Sequence, residues 1–434
     1  MSEQAFARDL NHSTLAATQV SSVSAPGPDS TPLGRQQFII AAAIGLAATI
    51  WLVFLSGWLG ATHGSLIMKR QNVLFDSDTN LWIGRMIGND KSLEQIVHPL
   101  EIPLWRVPCR AMAHIMRYFV SRDNASILGP RVLVDGIAGL GIASLALLAL
   151  YCGVRPLRCA LLFVIYLLFT SNTTISLPEH FGISNGLLTL AFVVSVLVSS
   201  ARMRTTALAV LTVLTGGTSV TGGMVPVICM LNDAIKSLRR KMTLLLIAIP
   251  TGIGASMLLY HVSKSIQRYF GLYATFRWTH HPLMALNYTI HMLVLPAVGP
   301  APGIMRLAGW DMVSYEPHYA PLGLDAWLGL QGLGAIAWFI LLFQCLRLAL
   351  RREFLQPHLL VLFAWLFFNV VFYNVWGREL MLWAPAWSWV LMAVVVMGAR
   401  DLPLKRLLTL FVPIVASQIY TLLAIKSALL TITE

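Results

Sequence analysis

The sequence predicts an all-α polytopic membrane protein of about eleven transmembrane helices, with a long first outer loop that carries an amphipathic surface helix. Three observations point there. Of 434 residues, 57% are hydrophobic and only 12% charged, with a mean hydropathy of +0.71, whereas a soluble domain is about 25% charged. Thirteen Trp residues suit anchoring at membrane interfaces. The net charge of +12 sits in short Lys/Arg clusters between apolar runs, not along one stripe. That pattern fits orientation in a membrane and excludes nucleic acid as the expected partner.

Residues 1–37 are rich in Ser, Ala and Pro without an apolar period, as expected of a disordered cytoplasmic tail and not of a signal peptide. A helix needs about 20 apolar residues to cross a bilayer, fewer where the membrane is thin or the helix is broken. Expected spans are 38–60, 131–152, 157–171, 183–200, 205–217, 222–235, 242–262, 326–346, 358–374, 381–398 and 407–427.

Five connecting loops hold fourteen cations: Arg155/Arg158, Arg202/Arg204, Lys236/Arg239/Arg240/Lys241, Arg347/Arg351/Arg352 and Arg400/Lys405/Arg406. The opposite short loops, 171–182, 218–221 and 375–380, hold only Arg378. The positive-inside rule makes the first set cytoplasmic, together with the N-terminus. Residues 282–299 are apolar enough to span, yet counting them would invert every later loop, so a re-entrant or interfacial segment is expected there. The organisation is then a tail (1–37), a transmembrane module (38–262) with first outer loop 61–130, a second outer segment (263–325) and C-terminal spans (326–434). The expected location is the bacterial cytoplasmic (inner) membrane.

In the first outer loop, Leu104, Pro108, Met112, Ile115 and Phe119 recur at steps of three or four, and Arg106, Arg110, His114 and Arg117 recur on another face. Such a helix lies on a membrane surface with its cations toward phosphates. Five cysteines show no metal or disulfide spacing, and the adjacent His280 and His281 point different ways. No cofactor is therefore expected; a divalent cation is compatible but not indicated.

Acids stand at the outer ends of spans in three stretches: LFDSDTNLW (74–82) with Asp76 and Asp78, SLPEHFGISN (176–185) with Glu179, and NVWGRELMLWAPAWSW (374–389) with Glu379. His98 and Arg106, in HPLEIPLWR, could meet an anionic group, since Arg binds phosphate by a two-pronged contact. A carboxylate beside cations, reachable by a lipid chain, suits group transfer from a lipid-linked phosphate. Each residue also has a plainer use. Asp78 or Thr79 could cap a helix, Glu179 could be a helix N-terminal charge, and Arg378 could pair with Glu379.

The LFDSDTNLW…HPL arrangement, Glu179 in PEHFG, a short hairpin between the fifth and sixth spans, and GRELMLWAPAWSW resemble the C-type integral membrane glycosyltransferases. These include the protein O-mannosyltransferases and the aminoarabinose transferases of lipid A. The mannosyltransferases carry adjacent Asp-Glu where this chain has Asp-Ser-Asp, which leaves the identity of the base open. The resemblance implies an inverting transfer of sugar from a polyprenyl-phosphate donor to a glycan, lipid or protein acceptor, in contact with membrane lipids. Asp76 and Asp78 would be catalytic, with Arg85, His98, Arg106, Glu179, Arg378 and Glu379 as substrate contacts. Asp76 follows the apolar Leu74-Phe75 pair and is expected to be the less solvated acid and the base. An O-antigen ligase or polymerase, and a secondary transporter, are the alternatives; the acids singled out lie at span ends, whereas transporters put polar groups near the midplane.

Overall fold

The computed structural model describes residues 33–70, 73–75, 77–88, 101–234, 282–307, 310–315, 327–376 and 379–433. Its helices are α1 (Arg35–Leu59), α2 (Thr79–Ile87), α3 (Glu101–Met116), α4 (Arg122–Tyr151), α5 (Pro156–Leu167), α6 (His180–Leu197), α7 (Ala201–Thr218), α8 (Met224–Ala234) and α9 (Pro282–Val294). A hairpin of β1 (Gly303–Leu307) and β2 (Trp310–Ser314) follows. Then come α10 (Leu330–Leu350), α11 (Gln356–Trp376), α12 (Leu380–Trp383), α13 (Ser388–Gly398) and α14 (Leu404–Thr433).

The protein is an all-α membrane protein apart from that hairpin. Among the described residues six helices are long and apolar enough to cross a membrane: α1, α4, α6, α10, α11 and α14. Residues 380–401 add a seventh if the pair bent by 50° there counts as one span. Three other expected spans appear as α5, α7 and α8, which are shorter or less apolar. The span expected at 242–262 lies outside the described residues, as does most of the N-terminal tail. α9 has 13 residues, about 20 Å of helix, too short to cross a hydrocarbon core of about 30 Å.

α4 is the central pillar, and small residues let its neighbours close in. A side chain at Gly139 would collide with Thr49 and the Gly45 carbonyl of α1, and one at Gly186 of α6 would collide with the α4 backbone at Ile137. Such small-residue seams pack helices where lipid provides no hydrophobic drive. At 30 residues α4 is about 45 Å long, so it overshoots a bilayer core. Its outer turns carry α3: the two form a helical hairpin in which Gly129 comes against the Ala113 backbone.

The two ends of the bundle differ. At one end Arg352 Nη1 donates to the carbonyls of Cys152 (3.0 Å) and Met397 (3.4 Å), Arg158 reaches the Arg400 carbonyl, and Arg204 pairs with Asp233 at 2.7 Å. Cationic loops therefore share one end. The opposite end gathers the 61–88 segment, α3, the α5–α6 turn, the β-hairpin and the α11–α12 junction. There the Ser171 amide donates to the Pro296 carbonyl at 3.0 Å, and Thr174 Oγ1 to the Met381 carbonyl at 3.1 Å.

Candidate functional site

The chain reaches this cation-poor end through a strained turn. Val73–Phe75 run alongside β2, the Phe75 amide donating to the Val313 carbonyl at 2.9 Å and the Val313 amide to the Val73 carbonyl at 3.0 Å. Phe75 then takes φ 53°, the only positive φ at a non-glycine among the described residues. Left-handed backbone at a bulky residue persists only where its surroundings impose it. Here Phe75 is fully buried and stacks on Tyr315 with ring centroids 5.2 Å apart. The expected burial of Leu74 and Phe75 is met.

Asp76, which follows at once, lies outside the described residues, as do His98, Arg378, His280 and His281. Asp78 occupies the N-cap position of α2 but its side chain makes no capping hydrogen bond, so the plainer alternative of a cap does not hold for it. The reason is conformational, because its ψ of 32° is not the extended geometry of a side-chain N-cap. Thr79 does not cap either; its Oγ1 donates to Glu179 Oε1 at 2.5 Å. Burial pushes the Asp78 carboxyl up, and the charge of Arg85 pulls it back.

One turn along α2, the Trp82 indole donates to Glu101 Oε1 at 2.6 Å. His180, the first residue of α6, brings Nδ1 within 3.5 Å of the same oxygen. Glu101 and Glu179 are 1% and 2% exposed. Burial pushes the Glu101 carboxyl up to about 7, against the opposing pull of the Trp82 hydrogen bond and the Arg85 charge. Glu101 in turn helps burial push the Cys109 thiol up to about 12, so that thiol is inert. Arg85 thus acts on two carboxyls, and its buried Nε has no hydrogen-bond partner among the described residues. Asp78, Arg85, Glu101, Glu179 and His180 form one cluster, of which the sequence reading had missed Glu101 and His180.

Glu379 is placed differently. Its Oε2 accepts from Ser314 Oγ (2.5 Å) and the Tyr315 amide (3.1 Å), and its Oε1 caps α12 by accepting from the Met381 amide (3.1 Å). Both oxygens are occupied by the fold, and through Tyr315 they support Phe75 and the acidic motif. Burial, helped by the Glu379 charge, holds the Tyr315 phenol well above its ordinary range.

α3 packs on the bundle by an edge other than its apolar face. Its buried stripe is Glu101, Trp105, Cys109 and Ala113, because that edge meets α4. Ile115 and Phe119, on the apolar face expected to lie against the membrane, are exposed, as are Val107 and Tyr118. The cations are also engaged differently: Arg106 Nε donates to the Arg85 carbonyl (2.9 Å), and Arg110 Nη2 to the Gly88 carbonyl (2.7 Å). They close the C-terminal end of α2, where carbonyls lack helical partners.

One acid lies within a span, contrary to the pattern of acids at span ends. Asp135 of α4 is fully buried and neither carboxylate oxygen has a hydrogen-bond partner among the described residues. Arg131, one turn toward the acidic cluster, donates Nη1 to the Ala61 carbonyl at 3.1 Å. Among the described residues no group of three His, Cys, Asp or Glu side chains could hold a metal ion.

Comparison of the chain with protein-family models, curated proteins and solved structures finds no match.

Proposed function

We propose that the protein is a membrane glycosyltransferase that moves a sugar from a polyprenyl-phosphate donor to an acceptor hydroxyl at the cation-poor, outward face. The observation that carries this reading is the placing of Asp78 and Glu101 about Arg85 at that end, with Glu179 held by Thr79 of the same helix, beside α3 and the exposed Val107, Tyr118 and Phe119 on and just after it. The acceptor oxygen attacks the anomeric carbon as the bond from that carbon to the phosphate oxygen breaks, inverting the centre. The polyprenyl phosphate leaves with the electron pair, and a first-loop aspartate, Asp76 or Asp78, takes the hydroxyl proton. Arg85 is the cation for the leaving phosphate, since Arg106 is held by backbone carbonyls. The six long helices, the bent pair at 380–401, the helices α5, α7 and α8, and the span expected at 242–262 make eleven spans, with the N-terminus in the cytoplasm of a bacterial inner membrane.

Radiolabelled polyprenyl-phosphate hexoses presented to the reconstituted full chain test this. Transfer is expected, and Asp76→Asn and Asp78→Asn should each slow it, by about 10²–10⁴-fold for the base itself. Transfer from none of the donors, or full activity in both variants, sinks the reading.

Asp135 favours a second reading, proton-coupled transport, because an intramembrane acid commonly marks an ion path. Under transport, Asp135→Asn would abolish function while Asp78→Asn would spare it.

A further inference from the structure

A general base that has taken a proton must lose it before the next turnover. Asp78 stands at the N-cap of α2 and Trp82 four residues on, so both lie over the same face of that helix. Trp82 grips Glu101, and His180 closes the other side of the Glu101 carboxyl. Glu101 is nearly sealed, but the His180 side chain is 13% exposed, so the imidazole stands between the buried acid and water. The His180 ring is braced by Phe181, centroids 4.1 Å apart, and Phe181 packs edge-on against Trp383 at 5.9 Å.

The geometry points to a proton relay: Glu101 receives the acceptor's proton from the first-loop aspartate, and His180 passes it to solvent. This rests on the transferase reading for the origin of the proton, but not for the coupling of the two side chains. The steps balance without any redox partner. The O–H bond of the acceptor breaks as aspartate is protonated; the proton moves to the Glu101 carboxylate, then to one ring nitrogen of His180 while the other releases a proton to water. Imidazole suits this because its two nitrogens can gain and lose protons near neutral pH. Among the described residues, the titratable groups facing Glu101 are Arg85 from α2 and His180 from α6, with Cys109 on its own helix. A carboxyl that changes protonation near neutrality is matched to accepting and releasing a proton at working pH.

Infrared difference spectra between pH 5.5 and 8.5 of the full chain in nanodiscs read the pair directly. A protonated-carboxyl band should appear in the wild type, vanish in Glu101→Gln and persist in Glu379→Gln. His180→Gln should move its midpoint, and Trp82→Phe, which removes only the indole N–H, should raise it. An unchanged band in Glu101→Gln, or an unmoved midpoint in His180→Gln, overturns the coupling; if Glu101→Gln does not fold, Trp82→Phe and His180→Gln decide it. In the hexose-transfer assay, His180→Gln should lose about 10²-fold in turnover and recover partly with added imidazole, which a packing role would not allow. Full turnover without imidazole, or a loss that imidazole does not relieve, removes His180 from the path. A wild type that transfers nothing, yet shows the coupled band, removes the relay's role but not the coupling, and so separates the two failures.

Discussion

Glu101 and Glu379 are both buried carboxyls at the same end of the bundle, and their surroundings assign them opposite work. Glu379 is held by two backbone amides and a serine hydroxyl, donors supplied by the fold itself, which stabilise its charge. It ties the β-hairpin to the start of α12, and the hairpin supports the turn at Phe75. Glu101 is held at one oxygen by an indole and an imidazole, and its carboxyl is pushed up to about 7 chiefly by burial. A carboxylate locked by fixed donors is architecture. One left near its own titration point, beside a second titratable ring, can exchange protons.

The contrast predicts opposite phenotypes, and this is the largest effect. Glu379→Gln puts an amide where three donors converge, leaving buried N–H and O–H groups unsatisfied at about 1–3 kcal/mol each. A loss of about 3–5 kcal/mol, read as a lower Tm in nanodiscs, should accompany any fall in activity. Glu101→Gln should keep or raise stability at pH 8 while turnover drops about 10²-fold. If Glu379→Gln folds normally and is inactive, while Glu101→Gln unfolds, the assignments are exchanged.

How far such assignments were legible in the sequence depends on what each residue type signals alone. Spans declare themselves through composition, so α1, α4, α6, α10, α11 and α14 stand where the apolar runs do. The gathering of Glu179 and Glu379 with the LFDSDTNLW segment followed from the alternation of cationic loops, because a short loop fixes which end its neighbours occupy. Glu101 was missed although a signal existed: it stands four residues before Trp105 and eight before Cys109, an acid heading a buried stripe. The stripe at Leu104, Pro108 and Met112 marks the face expected to meet the membrane; the edge that packs on α4 lies one residue on, where Gly129 admits the Ala113 backbone. Asp135 reads as one charge in an apolar run. Nothing in its neighbours separates a functional intramembrane acid from a tolerated one.

The pH dependence of stability sharpens the comparison further, with a smaller effect. The Glu101 carboxyl moves from its ordinary 4.5 to about 7 on folding, so the folded protein binds the proton more tightly than the unfolded chain. Its contribution is fully present below pH 4.5 and is lost as the pH rises through about 7. The full shift corresponds to about 3 kcal/mol. Asp78, also pushed up by burial, adds in the same sense. Thermal unfolding across this window should show Tm falling as pH rises, and Glu101→Gln should flatten most of the slope. A slope unchanged in Glu101→Gln would place the titration elsewhere and erase the contrast with Glu379.

The smallest effect concerns what keeps Glu101 in reach of Trp82. Arg106 and Arg110 of α3 donate to the Arg85 and Gly88 carbonyls at the end of α2, fastening the two helices whose side chains meet at Glu101. If these cations chiefly met lipid phosphates, as the helical pattern first implied, their removal would weaken membrane or donor binding in proportion to the anionic lipid present. If they chiefly close α2, the cost is a hydrogen bond to a charged donor at an exposed helix end, about 1 kcal/mol, insensitive to lipid composition. Arg110→Gln is the cleaner probe, since Arg110 is exposed and donates to the Gly88 carbonyl at 2.7 Å. Its Tm should fall by the same small amount in zwitterionic and anionic nanodiscs, and the midpoint of the Glu101 carboxyl band should shift slightly as the α2–α3 contact loosens. A Tm loss that appears only with anionic lipid would return Arg110 to the membrane surface and leave the Glu101 pocket held by Trp82 and His180 alone.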